Sequence, residues 1–177
     1  MQLSKKIHFR PCHPIEQESL KTLLWALREP LHIKERETID IVLRNLWTYG
    51  GVLGIYEGAD LIGMFGYFLG EPKQEFFNRH ISFIYVAGIL PAHQRPGIFL
   101  RGVYALTQHL DELGVSEMRC HAAEDDPYTQ RLYGRLGDEI GRELNGRGLP
   151  CILYACSVDL VLARTNRQTR HKIKALN

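Results

Sequence analysis

The stretch from Ile89 to Phe99, ILPAHQRPGIF, has the residue types of an anion-binding loop. A buried strand is predicted before it and an amphipathic helix after it. The backbone N–H groups of such a loop point toward the same place as the positive end of the helix dipole, so a phosphate is attracted there. Gly97 has no Cβ and lets an anion approach the backbone. An ordinary strand-to-helix turn is the alternative interpretation.

A second stretch, from Asp126 to Asp138 (DPYTQRLYGRLGD), places Tyr133 in a short predicted helix over residues 127–136. A phenol is neutral at pH 7 and donates one hydrogen bond, which suits a general acid. Packing of the ring against the sheet is the alternative role for the same side chain.

Together the two stretches resemble the signature motifs of the GNAT superfamily of acyl-CoA-dependent N-acyltransferases. The first motif, V/I-x-P-x-x-Q/R-x-x-G-x-G/A, is matched by Ile89, Pro91, Gln94 and Gly97. The second motif, N-x-x-A-x-x-L-Y-x-x-x-G-F, is matched by Leu132, Tyr133 and Gly137. The separation of the motifs and the predicted strand between them also follow the family pattern.

The resemblance implies a binding site for acetyl-CoA. The loop from Gln94 to Phe99 would hold the pyrophosphate, and the segment from Ile89 to Pro91 would pair with the pantetheine arm. Tyr133 would protonate the leaving thiolate. The implied cofactor-binding residues are Ile89, Leu90, Pro91, Gln94, Arg95, Gly97, Ile98, Phe99, Asp126 and Thr129.

Several positions depart from the family pattern. Phe99 stands where the family prefers Gly or Ala, so we expect it to narrow the loop, and Pro96 removes one N–H donor. Asp126 replaces the usual Asn and is expected to face the pantetheine rather than the phosphates. Thr129 replaces Ala, and Asp138 replaces the closing aromatic residue. These changes bear on cofactor affinity and not on the fold.

A general base for the acceptor ammonium is not evident. Phe83 stands where some family members carry a Glu, and no carboxylate lies between Glu75 and Asp111. Alternation on the predicted strand puts Phe83 and Tyr85 on one face. Tyr85 is therefore a catalytic candidate beside Tyr133, and the other candidate bases are His80, Ser82 and Glu124.

The elements that must position these residues follow the order βααβββαβαββ. This order predicts a mixed α/β sheet of about seven strands flanked by four helices. Strands are predicted at residues 5–10, in a hairpin around residues 57–60, and at residues 80–90, 115–122, 139–144 and 151–162. The sheet is expected to open between the strand ending at Ile89 and strand 115–122. The resemblance makes the first two helices walls of the acceptor groove, with Trp25, Arg28 and His32 as candidate contacts.

Composition limits the remaining possibilities. The 177 residues are 45% hydrophobic and 24% charged, which predicts one globular domain over residues 1–162 and a basic tail over residues 163–177. No apolar run reaches membrane-spanning length, and the absence of a secretory signal favours the cytoplasm. The cysteines lack metal-ligand spacing, so we expect buried thiols and no metal.

The basic tail has three open explanations. It contains Arg164, Arg167, Arg170, Lys172 and Lys174 and no acidic residue. It is a solvated end, a contact with a second subunit of a homodimer, or a contact with nucleic acid. Nucleic acid is disfavoured because no aromatic residues are interleaved with the charges.

The sequence therefore predicts an acetyl-CoA-dependent N-acetyltransferase that moves the acetyl group directly to an amine. A small amine, a peptide N-terminus and a lysine side chain all stay open as acceptors. The alternative is a non-catalytic GNAT-like scaffold or binding module, which Phe99, Asp138 and the missing carboxylate motivate.

Overall fold

The structure, a computed structural model, describes residues 6–164. Its strands are β1 (Ile7–Pro11), β2 (Gly50–Glu57), β3 (Asp60–Leu69), β4 (Ile81–Ile89), β5 (Glu117–Ala123), β6 (Asp138–Leu144) and β7 (Pro150–Ser157). Its helices are α1 (Gln17–Ala26), α2 (Arg36–Tyr49), α3 (Ile98–Glu112), α4 (Pro127–Tyr133) and α5 (residues 158–164). The strands form a mixed sheet in the order β1-β2-β3-β4-β5-β7-β6, which confirms the predicted fold class.

The chain divides into two compact units, and β4 and α3 contribute residues to both. The first unit contains the described residues up to Phe68 together with Tyr85–Leu106. The second unit contains Leu69–Ile84 and the described residues from Thr107 onward.

The first unit is built on the antiparallel strands β1, β2 and β3. Helix α3 packs closely here because Gly102 has no side chain: a Cβ at this position would lie 2.6 Å from the ring of Phe65. The Phe99 ring, one helical turn earlier, contacts the same Phe65 ring at 5.1 Å between centroids. The first turns of α3 are thereby fixed against β3.

The second unit combines parallel and antiparallel pairing. The first residues of β4 run parallel to β5, while β7 pairs antiparallel with both β5 and β6. Helix α4 lies against the apolar cluster of Cys120, Ala122, Ile152 and Tyr154. The Thr107 hydroxyl of α3 donates to Met118 Sδ at 3.6 Å, so α3 and α4 both contact this face of β5.

Pairing between β4 and β5 stops at Ile84 and Cys120. Strand β4 nevertheless extends to Ile89, and β5 stays paired with β7 as far as Ala123. The prediction that these two strands are not hydrogen-bonded along their whole length is confirmed.

The apolar run at residues 151–162 is not one strand, as the sequence predicted. β7 ends at Ser157, and helix α5 follows directly. Val158 and Val161 are buried at helical spacing, and Ser157 Oγ accepts a hydrogen bond from the Leu160 N–H at 3.5 Å, as at a helix N-cap. A continuous apolar run does not distinguish a buried strand from a buried helix.

Smaller features also bear on the predictions. All four cysteines are buried, as expected. Helix α4 ends at Tyr133 rather than at residue 136. Within residues 6–164, no helix has the length and apolar character of a membrane span, and no group of three potential metal ligands occurs. Most of the predicted basic tail, residues 165–177, lies outside the described residues.

Candidate active site

The predicted phosphate loop joins β4 to α3 within the first unit. After one short 3-10 turn at Pro91–His93, the chain reaches Gly97 with φ +82° and then enters the 15-residue helix α3. L side chains rarely adopt this conformation. Apart from its two chain neighbours, no residue of the described range 6–164 would come within 4 Å of a Cβ at Gly97, so these residues leave the space beside the backbone open. The Ile98 N–H donates to the Arg95 carbonyl at 3.2 Å, whereas no described residue accepts from the N–H groups of Gly97 and Phe99, which suit an anion.

Glu57, at the end of β2, fixes the shape of this loop. The residue is 9% exposed, and its carboxylate lies 2.8 Å from His93 Nδ1 and 3.0 Å from Arg95 Nη2. Gln94 folds back, and its Nε2 donates to the Ile89 carbonyl at 3.1 Å. Two side chains assigned to the cofactor, Gln94 and Arg95, thus have partners within the protein. The exposed Arg95 guanidinium keeps further N–H donors for an anion.

The apolar residues of the motif lie at the base of the loop. Ile89 and Ile98 are buried, and the Leu90 N–H donates to the Ile62 carbonyl at 2.8 Å. Phe99 packs on Phe65 and has no atom within 4 Å of the Cβ position at Gly97. The expected narrowing by Phe99 is therefore absent at Gly97, because its ring is part of the contact between α3 and β3.

Asp126 acts as the N-cap of α4. Its carboxylate accepts hydrogen bonds from the N–H groups of Tyr128 and Thr129, both at 3.1 Å, and from the Thr129 hydroxyl. Burial raises the pKa of Asp126, but the hydrogen bonds from Thr129 and Tyr128 outweigh it, and the net pKa is lowered. Both predicted cofactor residues of this segment are engaged in holding α4, a role that the Asp-Pro-x-Thr pattern indicates in retrospect.

Tyr133 is the last residue of α4 and packs on the apolar cluster of the second unit, with its ring centroid 6.0 Å from that of Tyr154. Burial raises the pKa of its phenol, so the hydroxyl stays protonated at neutral pH. No other residue between 6 and 164 forms a hydrogen bond with this hydroxyl. The hydroxyl oxygen is nevertheless not fully buried. Tyr133 thus presents a neutral proton donor that the described chain does not use.

The candidate bases have dissimilar surroundings. Tyr85 is 45% exposed and its ring contacts Phe68 at 4.8 Å. Ser82 is fully buried, and His80 is exposed at the start of β4. Glu124 is exposed and lies 3.4 Å from Arg142 Nη1. Tyr85 belongs to the first unit and the other three to the second.

The structure also groups three residues that the sequence analysis missed. His121 Nε2 lies 2.6 Å from Glu143 Oε1, and Lys73 Nζ lies 2.6 Å from Glu143 Oε2. Burial raises the pKa of Glu143, but the hydrogen bonds from Lys73 and His121 outweigh it, and the net pKa is lowered. The three residues come from separate parts of the chain, so no motif spacing could have revealed them.

The candidate acceptor contacts lie in the first unit. The guanidinium groups of Arg28 and Arg36 lie 4.9 Å and 4.4 Å from the centre of the Trp25 ring. His32 is exposed, with φ +52°. The Trp25 ring is therefore occupied by cation–π contacts within the protein.

Comparison with known proteins agrees with the fold and the motifs. The model of the acetyltransferase (GNAT) family matches residues 18–138. No curated protein sequence matches the chain significantly.

Similar solved structures share the fold at low sequence identity. The ribosomal-protein-S18-alanine N-acetyltransferase of Escherichia coli is 12% identical, with 86% of this chain and 94% of that chain covered and a TM-score of 0.67. An acetyltransferase from Thermus thermophilus is 15% identical, with 88% and 99% covered and a TM-score of 0.66. A ribosomal L7/L12 alpha-N-protein acetyltransferase in complex with coenzyme A is 16% identical, with 89% and 97% covered and a TM-score of 0.64.

Proposed function

Because the chain belongs to the acetyltransferase (GNAT) family, we propose that it transfers an acetyl group from acetyl-CoA to an amine. One observation carries this proposal: the family's phosphate-loop motif forms an open backbone turn at Gly97 directly before α3. The loop shape is fixed by Glu57 before any ligand arrives. A preorganised set of N–H groups binds an anion without the cost of ordering the loop.

In this proposal the residues of the two motifs have different roles. The backbone from Gln94 to Phe99 holds the pyrophosphate, with the remaining N–H groups of Arg95 as a second contact. The segment from Ile89 to Pro91 borders the pantetheine arm. Asp126 and Thr129 act by holding α4, and hence Tyr133, in place.

The chemistry requires two proton movements. The acceptor enters as an ammonium and must lose a proton before its nitrogen attacks the thioester carbonyl. When the C–S bond breaks, the thiolate gains a proton. Tyr133 is suited to supply it, because a phenol is protonated at neutral pH and the hydroxyl is unused within the described chain. Removing one such donor costs about 10²–10⁴ in rate where proton transfer limits the reaction.

Calorimetric titration with acetyl-CoA tests the cofactor part of the proposal. We expect saturable binding, weakened in Gly97→Val and unchanged in Gly148→Val. Gly148 is the matched control because it also has positive φ and open space at its Cβ position but lies in the β6–β7 turn. Absence of binding at about 1 mM ligand would favour the non-catalytic scaffold instead.

A thiol-release assay with a panel of amines tests the transfer itself. The panel contains a small aliphatic amine, a peptide with a free N-terminus and a peptide with an internal lysine. We expect coenzyme A release to depend on at least one of these. Acetyl-CoA binding with no release for any amine would reduce the proposal to cofactor binding alone.

A further inference from the structure

Strand β5 presents two chemically different faces in the second unit. Met118, Cys120 and Ala122 are buried and face α3 and α4. The alternate residues, Glu117, Arg119 and His121, lie on the opposite face and are only partly buried. A partly exposed face of charged residues beside an apolar one points to a role outside the core.

His121 is held rigidly on this polar face. Its Nε2 lies 2.6 Å from Glu143 Oε1, and Phe83 meets the imidazole ring edge-on at 5.0 Å between centroids. In the tautomer whose Nε2–H group donates to the Glu143 carboxylate, the lone pair of the neutral imidazole lies on Nδ1. Among residues 6–164, no hydrogen-bond partner contacts Nδ1. The side chain is 18% exposed, so this nitrogen remains available to a ligand.

The charged residues around His121 form ion pairs with one another. Arg119 lies 2.7 Å from Glu71 and 2.6 Å from Glu117, and Lys73 is bound to Glu143. Three carboxylates thus face two permanent cations. An approaching ammonium meets a slightly negative face rather than a repelling one.

The position of His121 along β5 matters as much as its contacts. It directly follows Cys120, the last β5 residue that pairs with β4. On the opposite face, Tyr133 packs against the apolar cluster to which Cys120 and Ala122 belong. The two side chains therefore flank the same short stretch of β5, one with an available proton donor and the other with an available acceptor.

We propose that His121 is the general base that deprotonates the acceptor ammonium, with Glu143 as its positioning residue. This inference rests on the proposed acetyl transfer. His121 Nδ1 takes one proton from the ammonium and later releases it to water. The lone pair of the acceptor nitrogen then attacks the thioester carbonyl and forms the C–N bond. The C–S bond breaks, and its electrons stay on sulfur. The nitrogen loses its second proton to solvent, and the thiolate is protonated by Tyr133, which regains a proton from solvent.

His121→Gln tests the proposal, with His80→Gln as the competing histidine of the same unit. With the best amine of the panel, we expect His121→Gln to lower kcat by about 10²-fold. The dissociation constant of acetyl-CoA should stay unchanged. Wild-type kcat and an unchanged pH profile in His121→Gln would overturn the proposal, and the same loss in His80→Gln would transfer the role to that residue.

A weakly basic amine separates a base from a structural histidine. Such an amine is already deprotonated at the assay pH, so it does not need His121. We expect most of the lost activity of His121→Gln to return with it. An equal defect for weakly and strongly basic amines would show a structural role and overturn the proposal.

Glu143→Gln gives a second route if His121→Gln does not fold. We expect kcat to fall with a strongly basic amine and to recover with a weakly basic one, because the imidazole loses the carboxylate that orients it. An equal loss of kcat with both amines would contradict the proposal. If the wild-type protein binds no acetyl-CoA and acetylates no amine, the proposed function fails first. If wild-type transfer is normal and these variants are unaffected, only the assignment of His121 fails.

Discussion

The two units each contain a glutamate that joins a histidine to a cation. In the first unit, Glu57 contacts His93 and Arg95, which lie two residues apart in one loop. In the second, Glu143 contacts His121 and Lys73, which come from different segments. The same three residue types therefore serve two purposes. In the proposed mechanism, Glu57 holds a loop whose backbone N–H groups bind the pyrophosphate, whereas Glu143 holds an imidazole whose nitrogen takes up a proton.

This difference determines which kinetic constant each group controls. Changes around Glu57 should alter the affinity for acetyl-CoA, because the loop is held for the phosphates. Changes around His121 and Tyr133 should alter kcat, because their contacts with the substrate develop during the reaction. A variant near Glu57 that lowers kcat, or a variant of His121 or Tyr133 that weakens acetyl-CoA binding, would contradict this distinction.

The largest effect is expected for Tyr133→Phe in the second unit. It removes the hydroxyl and keeps the ring packed on Cys120 and Tyr154. We expect kcat to fall roughly ten- to several-hundred-fold, the lower figure because a thiolate is a good leaving group. Acetyl-CoA affinity and Tm should barely change. Tyr154→Phe, a neighbouring buried phenol, is the matched control; full activity in Tyr133→Phe would return this tyrosine to a packing role.

The sequence predicted the open loop at Gly97 in the first unit and the position of Tyr133 in a short helix of the second, and the cofactor and catalytic roles of these residues stay predictions. The loop from Ile89 to Gly97 is contiguous, so its motif predicted the position and the open backbone together. The partners of the loop were missed, because Glu57 lies on another strand. The sequence predicted that Phe99 narrows the loop. Motif spacing does not show where a ring points, and in the structure the Phe99 ring contacts Phe65.

In the second unit, Tyr133 is a candidate from the sequence because it belongs to a family motif. His121 was missed because Glu143 and Lys73 are brought to it by strand pairing and by the segment before β4. The order of strands and helices was predicted almost completely from hydrophobic periodicity. The exception was the boundary at Ser157, where an unbroken apolar run changes from strand to helix.

Gly97→Val should produce the second-largest effect, and on affinity rather than on kcat. A branched side chain fills the space beside the loop backbone and strains a residue with φ +82°. Loss of one or two anion contacts corresponds to a rise of roughly tenfold in KM for acetyl-CoA. Gly148→Val, with φ +75°, carries similar strain and should leave KM unchanged. Equal changes in both variants would mean that strain, not phosphate contact, is being measured.

Glu57→Gln tests whether the glutamate of the first unit acts only by shaping the loop. The amide keeps hydrogen-bonding capacity but loses the charge that holds Arg95. We expect the dissociation constant of acetyl-CoA to rise about three- to tenfold, with kcat unchanged at saturation. Glu143→Gln should show the reverse pattern. A lowered kcat in Glu57→Gln at saturating acetyl-CoA would break the distinction between the two glutamates.

The smallest effect is expected for Lys73→Met, which leaves His121 and Glu143 in place and removes only the cation. Lys73 lowers the pKa of Glu143, so without it this carboxylate holds its proton to a higher pH. The pair with His121 would then weaken as the pH falls, while near neutrality Glu143 would still be ionised. We therefore expect kcat/KM to drop about two- to threefold at neutral pH, as for an exposed ion pair, and further below about pH 5. Arg142→Met is the matched control, because Arg142 is equally exposed and pairs with Glu139 of the same strand. Identical pH profiles for the two variants would show that Lys73 forms only a surface ion pair and does not influence His121.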